Sequence, residues 1–370
     1  MKSILIGIVI LAVNCVGIAQ GPNNSEVLED KSSWFSKSLE FKGIAVQDDD
    51  WHIWGCSPII GPEGKVHLFV ARWPEETGHQ GWYTHSQVAH YVGESPEGPF
   101  EFSDIVLEGT GKDTWDKFSP HNPAIHKADS KYALFYIANT GKEQRPRNQQ
   151  IGLASSKSLY GPWEKAGKDG LILSPPTDSA YYNYNTTNGV NNPAFLQHPD
   201  GRFFLYFKSN DMRKKDDWKP MMGLAIAENL EGPYTQLPKP VTKNNSVIED
   251  GYAFKYGDKI YLVTTDNHGM IEYGGGLIWE SEDGLSFENP KQAFKRLPHY
   301  FGGELPDHAY LTKGEKGSKF ERPQVLLIDG IPSWLYVPSG TNTDGGKGSA
   351  GYVLKIKEDF LPVGGKPDKN

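Results

Sequence analysis

Five polar pairs recur along this 370-residue chain: Cys56-Ser57, His121-Asn122, Asn191-Asn192, Asp250-Gly251 and Glu321-Arg322. Their side chains could move protons or grip hydroxyl groups. Carboxylates and imidazoles serve as general acids and bases. Asn and Arg supply the donors that hold oxygen-rich ligands. More candidates stand nearby: Asp48-Asp49-Asp50 ahead of the first pair, Trp115-Asp116 ahead of the second, and His308 ahead of the fifth. Acid–base chemistry needs one group to give a proton and another to take one. Neighbours in sequence cannot stand on two sides of a reacting bond. The partners must come from distant stretches, so some element has to bring those stretches together.

That element is a repeat. Each pair opens a strand, followed by a turn, a second strand centred on Leu, a long polar loop, a third strand with Gly and small residues, and usually a Gly-Pro-aromatic turn into a fourth. The second copy reads His121-Asn122-Pro123-Ala124-Ile125, Lys131-Tyr132-Ala133-Leu134-Phe135-Tyr136, Ile151-Gly152-Leu153-Ala154, Gly161-Pro162-Trp163. The second-strand leucines Leu68, Leu134, Leu205, Leu262 and Leu335 are spaced by 66, 71, 57 and 73 residues. Short β-rich runs at this interval predict an all-β fold, a five-bladed β-propeller of four-stranded blades. A β-sandwich would not explain five copies in one order. The fifth copy lacks a fourth strand after Leu354, and Phe41–Val46 is expected to supply it and close the ring.

In such a ring the innermost strands meet at the axis, and the loops joining second and third strands end on the same face. Those loops are the long ones here: 72–87, 139–150, 209–221, 265–275 and 338–350. Long polar loops on a rigid scaffold are where binding and chemistry are usually placed. The sequence therefore predicts one axial site.

Composition narrows the classes. Hydrophobic residues make up 37%, too few for a membrane bundle, and the net charge of −8 argues against a general nucleic-acid binder. Two cysteines give no disulfide framework and no zinc spacing. Lys2, the apolar run Ile4–Val13 and the small residues Gly17 and Ala19 before Gln20 predict a signal peptide over 1–19 and an exported catalytic domain over 20–370. Cys15 offers a lipoprotein alternative, against which Asn14 counts. No other segment approaches the length of a membrane span.

The Asn-Pro inner strands, the Lys-Tyr-x-Leu-Phe-Tyr second strand, the Gly-Leu-Ala third strands and Ser-Leu-x-Gly-Pro-Trp turn together resemble the five-bladed propeller glycoside hydrolases of families 43 and 117, over essentially the whole mature chain. The resemblance implies glycosidic bond hydrolysis of an oligosaccharide from a plant or algal polysaccharide, with inversion and exo action. It also implies an axial calcium or similar ion, for which His121 is the candidate ligand. Where family 43 has Asp-Pro in the first inner strand, this chain has Ser57-Pro58. A family 117 aspartate sits at an offset similar to that of Asp50. The family 43 acid resembles Glu-Gly-Pro; aligned on Glu249-Asp250-Gly251-Tyr252, Asp250 takes the glutamate's place. His308 lies in a stretch that resembles the one where family 117 proteins carry a histidine acid, between blades four and five.

On this reading Asp50 is the base, with Asp49 next. Asp250 is the acid or second carboxylate, with His308 as the alternative acid. Glu249 is the neighbour that could turn into the blade. Trp51, Arg72, Trp115, Asp116, His121, Asn122, Asn192, Glu321 and Arg322 are expected to bind substrate, and Trp54, Trp73 and Tyr181–Tyr184 are further aromatic candidates. Arg72, Arg145, Arg147, Arg213, Lys214 and Lys215 in the loops point to an anionic sugar, uronic or sulfated. Two rivals stand beside hydrolysis: a glycan-binding propeller without catalysis, and a phosphorolytic enzyme of the same fold.

Overall fold

In the computed structural model, alternating apolar and small residues build strands that are buried on both faces, because each sheet packs against two others. The structure describes residues 30–141, 148–184, 186, 188–211, 213, 219–301, 318–340 and 348–363. Residues 31–370 form one compact unit; of the unit before it, 1–30, only Asp30 is described. The signal-peptide segment and His308 lie outside the described residues.

Five antiparallel sheets follow the five copies. Blade one runs through Trp51–Ile60, Val66–Pro74, Gln87–Gly93 and Phe100–Leu107. Blade two has Phe118–Ala128, Lys131–Asn139 and Gln150–Ser156, with the short Glu164–Lys165 and Leu171–Leu173 on its outer edge. Blade three has Asn191–Gln197, Phe203–Ser209, Met221–Ala227 and Thr235–Gln236. Blade four has Ile248–Tyr256, Lys259–Asp266, Gly275–Ser281 and Glu288–Phe294. Blade five has Gln324–Ile328, Ile331–Ser339 and Ala350–Ile356.

The fourth strand of blade five is Leu39–Gln47, paired antiparallel from Leu39↔Ile356 to Gln47↔Ala350. The early chain thus closes the ring, as the sequence predicts. A short helix, Trp34–Ser38, leads into it, capped by reciprocal bonds between Ser33 and Ser36. Each inner strand touches the next, and blade five returns to blade one. Among the described residues the core is divided accordingly into five larger apolar clusters, one at each blade interface, with a sixth, small cluster of Trp54, Ala71 and Trp73 in blade one. Phe69, Trp115 and Tyr136 pack between blades one and two, for example, and Trp334, Tyr336 and Leu68 between five and one.

The same kink recurs at every inner strand, inside it in the first four blades and just ahead of it in the fifth. Gly55, Asn122, Asn192, Asp250 and Arg322 all have positive φ, between 45° and 62°. In the first four blades the ladder breaks its register there, as at a β-bulge, which re-aims the adjoining side chain. This common point sets the true register of the five copies. The matched pairs are Trp54-Gly55, His121-Asn122, Asn191-Asn192, Glu249-Asp250 and Glu321-Arg322. Two sequence pairings are thereby corrected. Blade one contributes Trp54-Gly55 rather than Cys56-Ser57, and blade four Glu249-Asp250 rather than Asp250-Gly251.

Candidate active site

The kink residues form a hydrogen-bonded arc around the axis. Asn122 Nδ2 donates to Asn192 Oδ1 at 2.7 Å, and Asn192 Nδ2 donates to Asp250 Oδ1 at 2.7 Å. Asp250 Oδ2 accepts from the Arg322 backbone N–H at 3.2 Å and from Thr265 Oγ1 at 3.3 Å. The Arg322 side chain is fully buried. Its Nη2 donates to the carbonyls of Asn122 (2.9 Å) and Pro193 (3.3 Å), and its Nη1 stands 3.8 Å from Asp250 Oδ1. Blade one supplies only Gly55 to this arc. A Cβ there would lie in ordinary contact, 3.5 Å from Asn122 Oδ1 and 3.6 Å from Arg322 Cγ, but the φ of 62° is one that favours glycine.

Four of the residues one step earlier, Trp54, His121, Glu249 and Glu321, line a hollow of about 320 Å³ at the axis mouth, while Asn191 is turned to Gln149. Trp54, Trp73 and Trp82 make one wall, beside His79 and His121. Glu249, Asp250 and Glu321 bring three carboxylates from blades four and five, with Lys208 and Lys319 among them. Asn122, Gln149 and Asn192 complete the lining. Larger grooves of about 540 and 590 Å³ exist, but each is lined by one blade alone, so no inner strands converge on them.

The two glutamates sit in different electrostatic settings. Lys208 Nζ is 3.3 Å from Glu249 Oε2. Burial pushes Glu249 up, but Lys208, a hydrogen bond from Asn267 and the charge of Lys319 outweigh it and hold the carboxyl below its ordinary range. Glu321 is pushed up to about 7, first by burial and then by the charges of Glu249 and Asp250; Lys319, 3.7 Å away, offsets this only in part. Burial also raises Asp250, with the Arg322 charge acting against it. The arrangement sets Glu249, favoured as the carboxylate, on the blade next to Glu321, which is about half protonated at neutral pH.

Several expected site residues lie elsewhere. Asp49 and Asp50 are exposed and do not line the hollow. They precede the strand that begins at Trp51, so Asp50 stands roughly 13 Å of extended chain from Trp54. Arg72 is stacked between the rings of Trp51 and Phe102, 4.2 Å from each, and donates to Tyr91 Oη at 3.0 Å; neither Arg72 nor Trp51 reaches the hollow. Asp116 is buried in an ion pair with Lys165 and accepts from Thr114 Oγ1 at 2.8 Å, so it anchors blade two. Trp115 packs on Tyr136 in the interface of blades one and two. His121, Asn122, Asn192, Asp250 and Glu321 do meet in the hollow, and Arg322 lies within the arc. Glu249 turns toward the hollow rather than into the blade. Asp250 holds a left-handed backbone position, and the residue before it, Glu249, faces the hollow beside it.

An axial calcium does not fit these residues. Arg322 already places a positive charge on the axis. No three His, Cys, Asp or Glu among the described residues are grouped to hold a metal. No helix among the described residues is long and apolar enough to cross a membrane.

Five blades around a mouth lined by carboxylates and aromatic rings define the chain as a five-bladed β-propeller of the architecture used by glycoside hydrolases of families 117 and 43. Among solved structures it is similar to a family 117 glycoside hydrolase produced by the marine bacterium Zobellia galactanivorans, with a TM-score of 0.65 and 14% identity, covering 89% of this chain and 93% of that one. It is also similar to a family 43 β-xylosidase/α-arabinofuranosidase from a compost microbial metagenome, solved with xylotriose in a calcium-free form, with a TM-score of 0.57 and 13% identity, covering 89% and 96%. In sequence it matches the extracellular endo-α-(1→5)-L-arabinanase 2 of Bacillus subtilis (strain 168), 25% identical over 184 residues. That match covers 45% of this chain and only 33% of the arabinanase. No family model matches the chain.

Proposed function

We propose that the protein is a glycoside hydrolase that uses Glu321 as general acid and Glu249 as base. One observation carries this reading: Glu249 and Glu321 come from adjacent blades to line one hollow, each beside its own lysine, and their acidities are pushed apart, Glu249 below its ordinary range and Glu321 up to about 7. Glu321 would protonate the leaving oxygen while Glu249 activates water, in keeping with inversion. The tryptophan wall would stack on the sugar ring. A hollow of about 320 Å³ is at the small end for ligand sites, which suits a terminal sugar and exo action. The arabinanase match and the xylotriose-bound neighbour make plant pentose oligosaccharides the first substrates to try.

The case for an anionic sugar is weaker in the folded chain. Arg72 and Arg213 are engaged away from the hollow, Arg213 with Asp211 and the carbonyl of Ser179. Lys208 and Lys319 are each set against a glutamate. Arg145, Arg147, Lys214 and Lys215 lie outside the described residues. Export is proposed from the apolar N-terminal run and from the extracellular arabinanase.

The test is a screen of the purified chain against arabino-, xylo- and galacto-oligosaccharides with and without phosphate, with released sugar followed by chromatography. Glu249→Gln and Glu321→Gln are assayed on each active substrate. If both variants turn over at the wild-type rate, the assignment is wrong. Binding without turnover would favour the non-catalytic reading, for which the absence of a carboxylate in Trp54-Gly55 is the supporting observation.

A further inference from the structure

Ser86 determines which nitrogen of His121 carries the proton. The Ser86 hydroxyl lies 3.1 Å from the carbonyl oxygen of Pro120 and 2.8 Å from His121 Nδ1. A carbonyl can only accept, so the single hydroxyl proton goes to Pro120. The hydroxyl lone pair must then accept Nδ1–H from His121. With Nδ1 protonated, the neutral ring presents an unprotonated Nε2. That nitrogen has no hydrogen-bond partner among the described residues, and His121 lines the hollow.

The ring is clamped in this pose. Trp82 stacks on it at 4.9 Å and 21°, and Trp73 packs at 5.6 Å on a tilt. The Ser86 backbone N–H is itself tied to Ser119 Oγ at 3.3 Å. Burial and the Arg322 charge push His121 down to about 3, which favours the neutral imidazole.

We propose that His121 Nε2 is a fixed hydrogen-bond acceptor for one hydroxyl of the sugar in the hollow, with Ser86 as the positioning residue that makes it one. This rests on the hydrolase reading above and adds a rule for specificity. The bound sugar must carry a donor at one particular carbon. A deoxy analogue at that carbon covers Nε2 without pairing it, and a fluoro analogue offers an acceptor where a donor is needed.

The experiment has two arms. In the first, nitrogen-detected NMR of the ligand-free chain reads the tautomer of His121. Wild type is expected to show Nδ1–H, and Ser86→Ala is expected to shift the population toward Nε2–H with the fold retained by circular dichroism. In the second, calorimetry on the Glu321→Gln chain measures binding of L-arabinose, D-xylose, D-galactose and D-glucuronate, then of the monodeoxy series of the best binder. One deoxy position is expected to cost about 10- to 100-fold in affinity, and that cost is expected to shrink when Ser86→Ala is added. An Nε2–H tautomer in wild type, or equal affinity across the deoxy series, overturns this proposal alone. Absence of binding by all four sugars overturns it together with the hydrolase reading.

Discussion

Glu249 and Glu321 leave neighbouring inner strands at the same register position, and each faces its own lysine, Lys208 at 3.3 Å and Lys319 at 3.7 Å. Burial falls on both, yet the lysines compensate unequally, and the two carboxyls separate in acidity. Replacing either with Gln keeps the shape and removes the proton chemistry. Each substitution is expected to lower kcat by about 10²- to 10⁴-fold, measured on the best substrate from the screen.

The same pair sets the pH profile. Glu321 must be protonated to act, and it is poised at about 7. Activity is expected to fall as pH rises through about 7, while the acid limb follows Glu249 below the ordinary carboxylate range. A kcat/KM profile that stays flat to pH 9 would remove Glu321 from the acid role.

Glu321 should also cost stability. Its folded value of about 7 lies above the ordinary 4.5, so the folded chain holds a proton that the unfolded chain releases between those values. Stability from this group is present below about 4.5 and is lost as pH rises toward 7. Glu321→Gln is therefore expected to melt at a higher temperature than wild type at pH 7.5 and at nearly the same temperature at pH 4.5, while losing activity.

Arg322 ties blades two, three and four together through the carbonyls of Asn122 and Pro193 and the carboxylate of Asp250. Arg322→Met leaves Asp250 without its counter-charge and two carbonyls without that donor. A loss of about 3–5 kcal/mol is expected, read from urea unfolding. A loss below 1 kcal/mol would show that the axis tolerates an uncharged plug.

His126 bears on acid stability. Its ring packs against Phe195 and Tyr252, its Nε2 is enclosed without a partner, and burial with the Arg322 charge pushes it down to about 3. The unfolded chain takes up that proton near 6.5, so this contribution is complete above 6.5 and is lost as pH falls toward 3. The stability gained by His126→Phe over wild type is expected to be about 2 kcal/mol larger at pH 5 than at pH 8.

The blades were legible because each copy repeats its strand order around a central leucine, and Leu68, Leu134, Leu205, Leu262 and Leu335 are all buried. The closing strand was legible from the missing fourth element of the last copy. Register was harder. In blades two, three and five the polar pair stands directly before Pro, but blade four has Gly251 there and blade one has Cys56. Aligning on Ser57-Pro58 moved blade one by two residues, and aligning Asp250 with the polar pair moved blade four by one. Placing Gly251 beneath the prolines would have put Glu249 in the ring. Asp50 drew attention by its charge, but a strand that starts at Trp51 leaves it outside the mouth. His79, Trp82, Gln149 and Lys319 come from loops or strand edges, where no periodicity tells which side chain turns inward.

The closure of blade five by Leu39–Gln47 has a consequence for how the protein is made. This segment emerges early from the ribosome, yet its partner Ala350–Ile356 is translated some 300 residues later. Until then Phe41 and Val46 have no sheet to cover them, and the other blades assemble around an open seam. The seam therefore closes only when Ala350–Ile356 meets Leu39–Gln47, and a chain cut short before residue 350 leaves an arc whose two edges can still pair with other chains.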